Sequence, residues 1–349
     1  MGSHYRASDF DFEYPREAVA QHPLADRGAS RMLELEKQSG TVRHRRFRDF
    51  PTLLEAGDVL VVNASRVIPA RLTGQRESGG DAEILLVHSE PDGTWLAMVH
   101  PGGKLKEGRT VRFGDDAVAE VVEVVGGGLR RISFSGRLSA EQIMRRHGVV
   151  PLPPYIERPA EPEDRERYQT VFADVDGSVA APTAGLHFTA EILEELKSRG
   201  VRIAELLLHV GPGTFKPVEV DDPAKHRMHA EWYAISEAAA VEVNTALARG
   251  GRVWAVGTTV ARALETAATK SQGVSWNVAP GFGWTDLFIY PPHTFKIVDA
   301  LLTNFHLPRS TLLMLVAAFA GYEHTMAAYR EAVARQYRLF SYGDAMAIR

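Results

Sequence analysis

The chain has 349 residues, enough for about two domains of ordinary size and a sizeable buried core. Forty Lys and Arg stand against 44 Asp and Glu, a formal net charge of −4, with 45% hydrophobic and 24% charged residues; these values exclude a disordered tail protein and disfavour a general nucleic-acid coat. The absence of cysteine excludes disulfides, thiolate nucleophiles, iron–sulfur ligation and zinc sites built on CxxC, so any metal would need His and carboxylates.

Met1-Gly2-Ser3-His4 reads as an expression remnant rather than a signal peptide, because no apolar segment follows it. The continuous apolar run Val59-Leu60-Val61-Val62 predicts a strand of the buried parallel type. Residues 70–137 are short β-rich runs separated by Gly and Pro, among them 83–87, 95–99 and 117–125, which predicts an all-β unit, a small barrel or sandwich. Ser139 with Gln142 three residues later forms a capping box, so a helix is expected to about residue 147, with Gly148 at its C′ position. Residues 157–166, with two prolines and dense charge, read as a mobile linker. Strands at 201–209 and 253–256 then alternate with helices at 237–249, closed by Gly250-Gly251, and at 260–269, which predicts an α/β layer or barrel with largely parallel strands. The longest apolar run, 312–320, has nine residues, about half of the ~20 needed to cross a bilayer. Because the strand at 59–62 belongs with the α/β half, the β unit is an insertion; residues 1–68 and 150–349 form the main domain and 69–149 the inserted one. A cytoplasmic location is expected.

Several segments carry polar groups that packing alone does not require. In the loop from Gly177 to Phe188, small residues permit close approach of a ligand while Thr183 and His187 supply polar groups; a tight connection with a core histidine is the other reading. Gly211 and Gly213 follow the strand ending at His209, but no third glycine and no helix follow, so a dinucleotide fingerprint is disfavoured. Gly257-Thr258-Thr259 opens a helix and could hold a carboxylate, phosphate or ribose, or simply cap it. Arg262 and Glu265 lie three apart on that helix, the spacing of an exposed ion pair. His226, His229 and Glu231 have the residue types of a metal site, yet without a helix to fix their faces acid–base work or hydrogen bonding to substrate suits them better. Asn304 and His306 precede an apolar helix capped by Ser310, which requires a structural network or a pocket. Arg43, Arg45, Arg46 and Arg48 form the densest basic run, equally consistent with RNA contact and with a solvated edge strand.

These motifs, taken in order, resemble the S-adenosylmethionine:tRNA ribosyltransferase-isomerase family of queuosine biosynthesis. The resemblance covers nearly the whole chain: Phe10-Asp11-Phe12-Glu13, the run from Asn63 to Leu72, that from Val150 to Ile156, Tyr168 to Ala173, Ala181 to Phe188, His209 to Phe215, His226 to Glu231, Val256 to Leu264, Thr303 to Thr311, and Phe340 to Met346. Ser65 stands where the family commonly has Thr, and Pro291-Pro292-His293 replaces a more usual Pro-Gly turn. The resemblance implies a barrel-like α/β main domain with an inserted small all-β barrel domain. It also implies transfer of the ribosyl part of S-adenosylmethionine (AdoMet) to the 7-aminomethyl-7-deazaguanine (preQ1) wobble base of tRNA, with isomerisation to an epoxycyclopentane and release of adenine and methionine. AdoMet is then a substrate; no cofactor, no metal and no protein partner are expected.

Such a reaction needs a base for the ribose 5′ hydrogens, a proton for the departing purine and a dry pocket. With no cysteine, histidine titrates closest to neutrality, so His187, His209, His229 and His306 are the candidate acid–base residues, with Glu231 facing the sulfonium or the ribose hydroxyls. Candidate substrate-binding residues are Asn63, Arg66, Arg71, Thr183, Gly211, Gly213, Thr258, Thr259, Arg262 and Asn304; candidate tRNA contacts are Arg43, Arg45, Arg46 and Arg48. Two other classes share some of these features. An AdoMet-dependent RNA methyltransferase would need a Gly-rich loop after its first strand, where Asn63-Ala64-Ser65 stands instead. A non-catalytic RNA-binding β-barrel would leave the polar strand-end motifs unexplained.

Overall fold

The structure, a computed structural model, describes residues 5–211, 217–271 and 275–349. Met1 to His4 and Gly213 lie outside the described residues. The chain opens with β1 (Arg31–Leu35), β2 (Val42–Arg46), β3 (Val59–Asn63) and the short β4 (Ser65–Val67). Seven strands and a helix follow: β5 (Arg71–Arg76), β6 (Asp81–Ser89), β7 (Trp95–His100), β8 (Thr110–Phe113), β9 (Ala117–Gly126), β10 (Leu129–Gly136), α1 (Ala140–His147) and β11 (Gly148–Val149). Next come α2 (Asp164–Arg167), β12 (Val175–Ser178), α3 (Ala190–Ser198), β13 (Arg202–Leu208), β14 (Glu231–Ile235), α4 (Glu237–Ala248), β15 (Val253–Val256) and α5 (Thr258–Thr266). The chain ends with β16 (Ala268–Ser271), β17 (Ser275–Val278), β18 (Gly281–Thr285), β19 (Ala300–Asn304), α6 (Thr311–Ala320), α7 (Tyr322–Ala334) and β20 (Ala345–Ile348).

Nine strands form the main sheet in the order β18-β14-β13-β3-β15-β19-β20-β1-β2. Its centre, β13-β3-β15-β19, is parallel, as expected of the buried run at 59–62. The flanks are not: β14 and β18 on one side and β20 and β2 on the other pair antiparallel with their inner neighbours, so the expectation of largely parallel strands holds only for the core of the sheet. Alternation along each central strand feeds two apolar layers. Val59 and Val61 face the layer that includes α4, α5, α6 and α7, whereas Leu60 and Val62 face the one with α3 and the 3-10 segment Phe47–Leu53. Among the described residues this sheet has two edges, β18 and β2, and is open rather than closed into a barrel.

Residues 71–149 build the second sheet, β11-β5-β6-β7-β10-β9-β8, in which β5 also pairs with β8. The sheet therefore returns on itself, which resolves the choice between barrel and sandwich in favour of closure. Inward residues Leu72, Ile84, Leu86, Val111, Phe113, Val121 and Ile132 fill it, with Ile143 and Met144 of α1 packed against them.

Local expectations fare unevenly. Ser139 and Gln142 form their reciprocal cap, and Ser310 and Thr189 cap α6 and α3. Gly148, however, has φ −85°, not a left-handed C′ conformation. It is needed for space: a Cβ there would lie 2.0 Å from the Pro69 carbonyl oxygen and 2.4 Å from that of Met144. The helix expected at 260–269 begins at Thr258 and ends at Thr266, because Gly257 at φ +93° makes the turn into it and the chain enters β16 two residues after its end. The segment at 157–166 is not a loose linker. Asp164, 2% exposed, gathers Arg158 through two bonds of 2.7 and 2.9 Å, the Tyr342 hydroxyl at 2.7 Å and the Glu161 N–H at 2.8 Å. Its charge density serves a buried carboxylate, not solvation.

Gly148→Ala should destabilise the protein by about 1–3 kcal/mol, since the methyl group must displace two backbone carbonyls. A urea melt in which the variant keeps the native midpoint would contradict this packing.

Candidate active site

The central parallel strands all end at one edge of the sheet, and polar groups appear there as soon as the dry strands stop. After β15 the chain turns at Gly257 into α5 with no side-chain cap, so the first-turn N–H groups of α5 are left to be satisfied from outside the helix. Thr258 and Thr259, 4% and 5% exposed, stand on this first turn, and the Thr259 hydroxyl has no hydrogen-bond partner among the described residues. After β19 come Asn304 and His306; Asn304 Nδ2 donates to the Phe340 carbonyl at 3.0 Å, while its Oδ1 is likewise without a partner. A pocket of about 50 Å³ lies between these ends, lined by Thr183, Gly257, Thr258, Thr259, Asn304, His306, Tyr155 and Ser341 among others. Tyr155 and Ser341 were not foreseen as site residues; their hydroxyls meet at 2.7 Å, and the signal for both lay in the motifs 150–156 and 340–346.

A wider cleft of about 360 Å³ opens between the closed sheet and the main one, lined by His88, Trp95, Arg145, Gly177, His209 and Trp232. His209 stacks on Trp232 at 4.9 Å and 19°, and its Nδ1 has no hydrogen-bond partner among the described residues. Burial, then the neighbouring His88, lowers its pKa, so the ring is held neutral. The two concavities adjoin, since His209 lines one and Val210 the other.

At Gly211, the residue after Val210, a buried ion pair is anchored. The Arg262 guanidinium contacts the Glu231 carboxylate, whose Oε1 also accepts the Gly211 N–H at 2.9 Å; both side chains are almost fully buried. Burial lowers the Arg262 pKa to about 10, still cationic at neutral pH. The pairing corrects two expectations. Arg262 and Glu265 form no exposed pair: Glu265 turns the other way and accepts the N–H groups of Lys296, Ile297 and Val298 at 2.9–3.1 Å. Burial works to raise the Glu265 pKa, but His293 and these N–H groups outweigh it and hold it below the ordinary value. Nor do His226, His229 and Glu231 converge. His226 packs edge-on to Phe288, His229 is exposed and Glu231 is occupied by Arg262; among the described residues no three such side chains form a metal-binding group.

The remaining candidates separate by depth. His306 lines the pocket, with Nε2 2.7 Å from the Thr303 hydroxyl, and burial lowers its pKa to about 3. His187 lies one layer behind, between the Ser30 hydroxyl at 3.1 Å and Asn304 Nδ2 at 3.3 Å; burial, then Arg27 and Arg338, lower its pKa to about 3. With both nitrogens engaged it orients Asn304. Asn63, 2% exposed, is used internally as well, bridging the Leu208 N–H and carbonyl and the Ser65 N–H. Arg66 is exposed and donates to the Ala173 carbonyl, and Arg71 is shared between Glu83 and the Leu152 carbonyl. On β2, Arg43 and Arg45 join Arg349 around the fully buried Glu34, whereas Arg46 reaches the Ala29 carbonyl and Arg48 lies 3.4 Å from Asp26.

The model of the queuosine biosynthesis protein family matches residues 7–348. The chain belongs to that family. A relative from Symbiobacterium thermophilum, named S-adenosylmethionine:tRNA ribosyltransferase-isomerase, is 52% identical over 98% of this chain and 99% of its own. One of the same name from Heliobacterium modesticaldum is 52% identical over 97% and 98%. The crystal structure of S-adenosylmethionine tRNA ribosyltransferase from Thermotoga maritima is 39% identical, with a TM-score of 0.56 over 98% of this chain and 100% of that one. In this member of the queuosine biosynthesis family, the matched length spans both sheets, the pocket and the cleft.

Removing Glu231 as Glu231→Ala leaves Arg262 buried without its counter-charge and should cost about 3–5 kcal/mol, read as a lowered unfolding midpoint in urea. His187 and His306 make stability acid-sensitive. Their folded pKa values lie below the unfolded one, so the unfolded chain binds more protons between pH 6.5 and about 3; stability is complete above 6.5 and falls as pH drops through this window. At pH 5 each histidine should account for a loss of about 2 kcal/mol, and His306→Gln should reduce the pH 7-to-5 difference by that amount. Melts of the two proteins with equal pH dependence would contradict it.

Proposed function

We propose that this chain is a tRNA ribosyltransferase-isomerase that moves the ribosyl part of AdoMet onto the preQ1 wobble base of tRNA, rearranging it to the epoxycyclopentane of epoxyqueuosine and releasing adenine and methionine. The observation that carries this reading, beside the names of the relatives, is the N-terminus of α5, which has no side-chain cap, together with the Thr259 hydroxyl and the Asn304 Oδ1, both unpartnered among the described residues, in a pocket that also holds His306. A helix N-terminus favours an anion, and the small volume suits the amino-acid end of AdoMet, with its carboxylate on the first turn of α5. The adjoining cleft, with its stacked His209 and Trp232, suits a flat ring such as an unstacked loop base.

The sulfonium acidifies the ribose 5′ hydrogens, and a neutral imidazole at the pocket wall is the group to accept one of them. His306 occupies that wall, and the proton it takes up is the one the departing purine needs, while His209 lines the adjoining cleft. The Glu231 carboxylate, fixed between Arg262 and the Gly211 N–H, forms an ion pair without net charge that holds the strand end beside Val210 in place. In this reading residues 1–68 and 150–349 are the catalytic domain and 69–149 the inserted one, which forms the opposite wall of the cleft. AdoMet is consumed, and no resident cofactor or metal takes part. No helix among the described residues is long and apolar enough to cross a membrane, and we place the enzyme in the cytoplasm with its tRNA.

Incubation with AdoMet and preQ1-bearing tRNA should yield adenine and methionine on chromatography, and none with unmodified tRNA; S-adenosylhomocysteine as the product would overturn the proposal. Activity should survive EDTA. His306→Gln should lower kcat by about 10²–10⁴ while AdoMet still binds, the loss expected for an acid–base group; an unchanged kcat would remove His306 from the chemistry.

A further inference from the structure

Two arginines that the active site leaves unused, Arg27 and Arg167, line a small pit beside it, and a third, Arg338, acts electrostatically on the pit's His187. Arg27, Arg167 and Arg338 are each half-buried, and every hydrogen bond their side chains make among the described residues goes to a backbone carbonyl. Arg27 donates to the carbonyls of Gln169 at 2.7 Å, Glu166 at 3.2 Å and Leu186 at 3.3 Å; Arg167 to Leu24 and Ala25; Arg338 to His22. Carbonyls satisfy the N–H groups but not the charge. Arg167 Nε and Arg338 Nη1 have no hydrogen-bond partner among the described residues. Glu166 and Asp344 attract Arg27 and Arg338, but neither pairs with them within 4.0 Å, and Arg27 and Arg167 repel each other. The pit, about 20 Å³ and lined by Arg27, Ser30, Arg167, His187, Ser341 and Tyr342, admits one oxygen-sized group.

Compare Arg43, Arg45 and Arg349, whose charge the buried Glu34 answers within the protein. At the pit no carboxylate among the described residues pairs with Arg27, Arg167 or Arg338 within 4.0 Å, which leaves room for an anion from outside. The surroundings of the pit indicate what kind of anion fits. The turn at residues 26–30 carries Arg27 inward, and on its other side Arg46 donates to the Ala29 carbonyl at 3.0 Å and Arg48 approaches Asp26 at 3.4 Å. A basic strip thus runs from the pit across one turn to the edge of the main sheet. Such a strip fits a chain of phosphates better than a single carboxylate, and a chain with net charge −4 must concentrate its positive charge somewhere to hold a polyanion.

We propose that Arg27, Arg167 and Arg338 form a phosphate site for the RNA backbone, in which one phosphodiester oxygen enters the pit and the strand continues over Arg46 and Arg48. The inference rests on the reading of tRNA as substrate. Ser341 lines both the pit and the catalytic pocket, and His187 joins the pit to Asn304, so a phosphate held there places the neighbouring nucleotides beside the active site.

The test uses a preQ1-bearing anticodon stem-loop titrated with the full chain over about 50–200 mM KCl. Arg167→Gln should weaken binding several-fold and make the slope of log K against log salt shallower by about 0.7, the loss of one contact to single-stranded RNA. AdoMet affinity should not change. Because Arg167 also ties down Leu24 and Ala25, a second arm leaves the protein untouched: single neutral methylphosphonate linkages are placed in turn along the loop. One linkage should weaken binding to the wild type several-fold and have no further effect on Arg167→Gln. An unaltered slope, no linkage that distinguishes the two proteins, or loss of AdoMet affinity with RNA affinity intact would overturn the phosphate site, the last by assigning the anion to AdoMet. Adenine release by the wild type reports separately on the proposed activity.

Discussion

Burial of the central strands on both faces is the constraint from which the rest of this structure follows. Val59 to Val62, Trp254 and Leu301 are essentially inaccessible, so a charged side chain along the middle of the sheet would lose its water; even the Trp254 indole Nε1 is buried there without a hydrogen-bond partner among the described residues. Chemistry is confined to the strand ends, and because β13, β3, β15 and β19 run in parallel their C-terminal ends coincide. The antiparallel neighbours add to the same edge: β14 starts there with Glu231, and β20 is preceded there by Asp344 and the Ser341 loop. The price is a set of buried charges, each of which must be answered locally. Glu231 answers Arg262, Arg158 answers Asp164, and three N–H groups answer Glu265.

Arginine shows how far neighbours decide what a charge does. The same side chain is neutralised by Glu34, by Asp164 and by Glu231, whereas Arg27 bonds only to backbone carbonyls among the described residues. Coulomb interactions of this kind vary more with burial and counter-charge than with residue type. A protein of slightly negative net charge can therefore present a positive surface to RNA, provided that its carboxylates are used elsewhere in the fold.

The elements are legible in the sequence where short-range physics decides them. Caps at Ser139, Thr189 and Ser310, the apolar run at 59–62 and the inserted β-rich stretch all depend on neighbours within a few residues. The motifs around Thr183, Gly257, Asn304 and His306 were legible for the same reason: polar and small residues stand where packing alone would place apolar ones, and the structure brings these four into one pocket. Arg262 and Glu231 were each visible, but not their pairing, because 31 positions of chain separate them and the nearer partner, Glu265, was already committed to the loop at 296–298.

The amino-acid sequence by itself determined the alternation of elements, the β-rich stretch, the family and some of the residues that line the pocket, Thr183, Thr258, Thr259, Asn304 and His306 among them, since periodicity, caps and ordered motifs are local properties of the chain. Only the tertiary structure decided which histidine lines that pocket, which one stands behind it and which is exposed, because exposure depends on what packs against a side chain from distant segments. It also decided that the main sheet is open with antiparallel flanks, that the charged stretch at 157–166 wraps a buried carboxylate, and that Arg27, Arg167 and Arg338 come to act on one region, around His187 and its pit. Those three arise from segments separated by more than a hundred residues, and electrostatic convergence over such separations leaves no periodic or local trace along the chain.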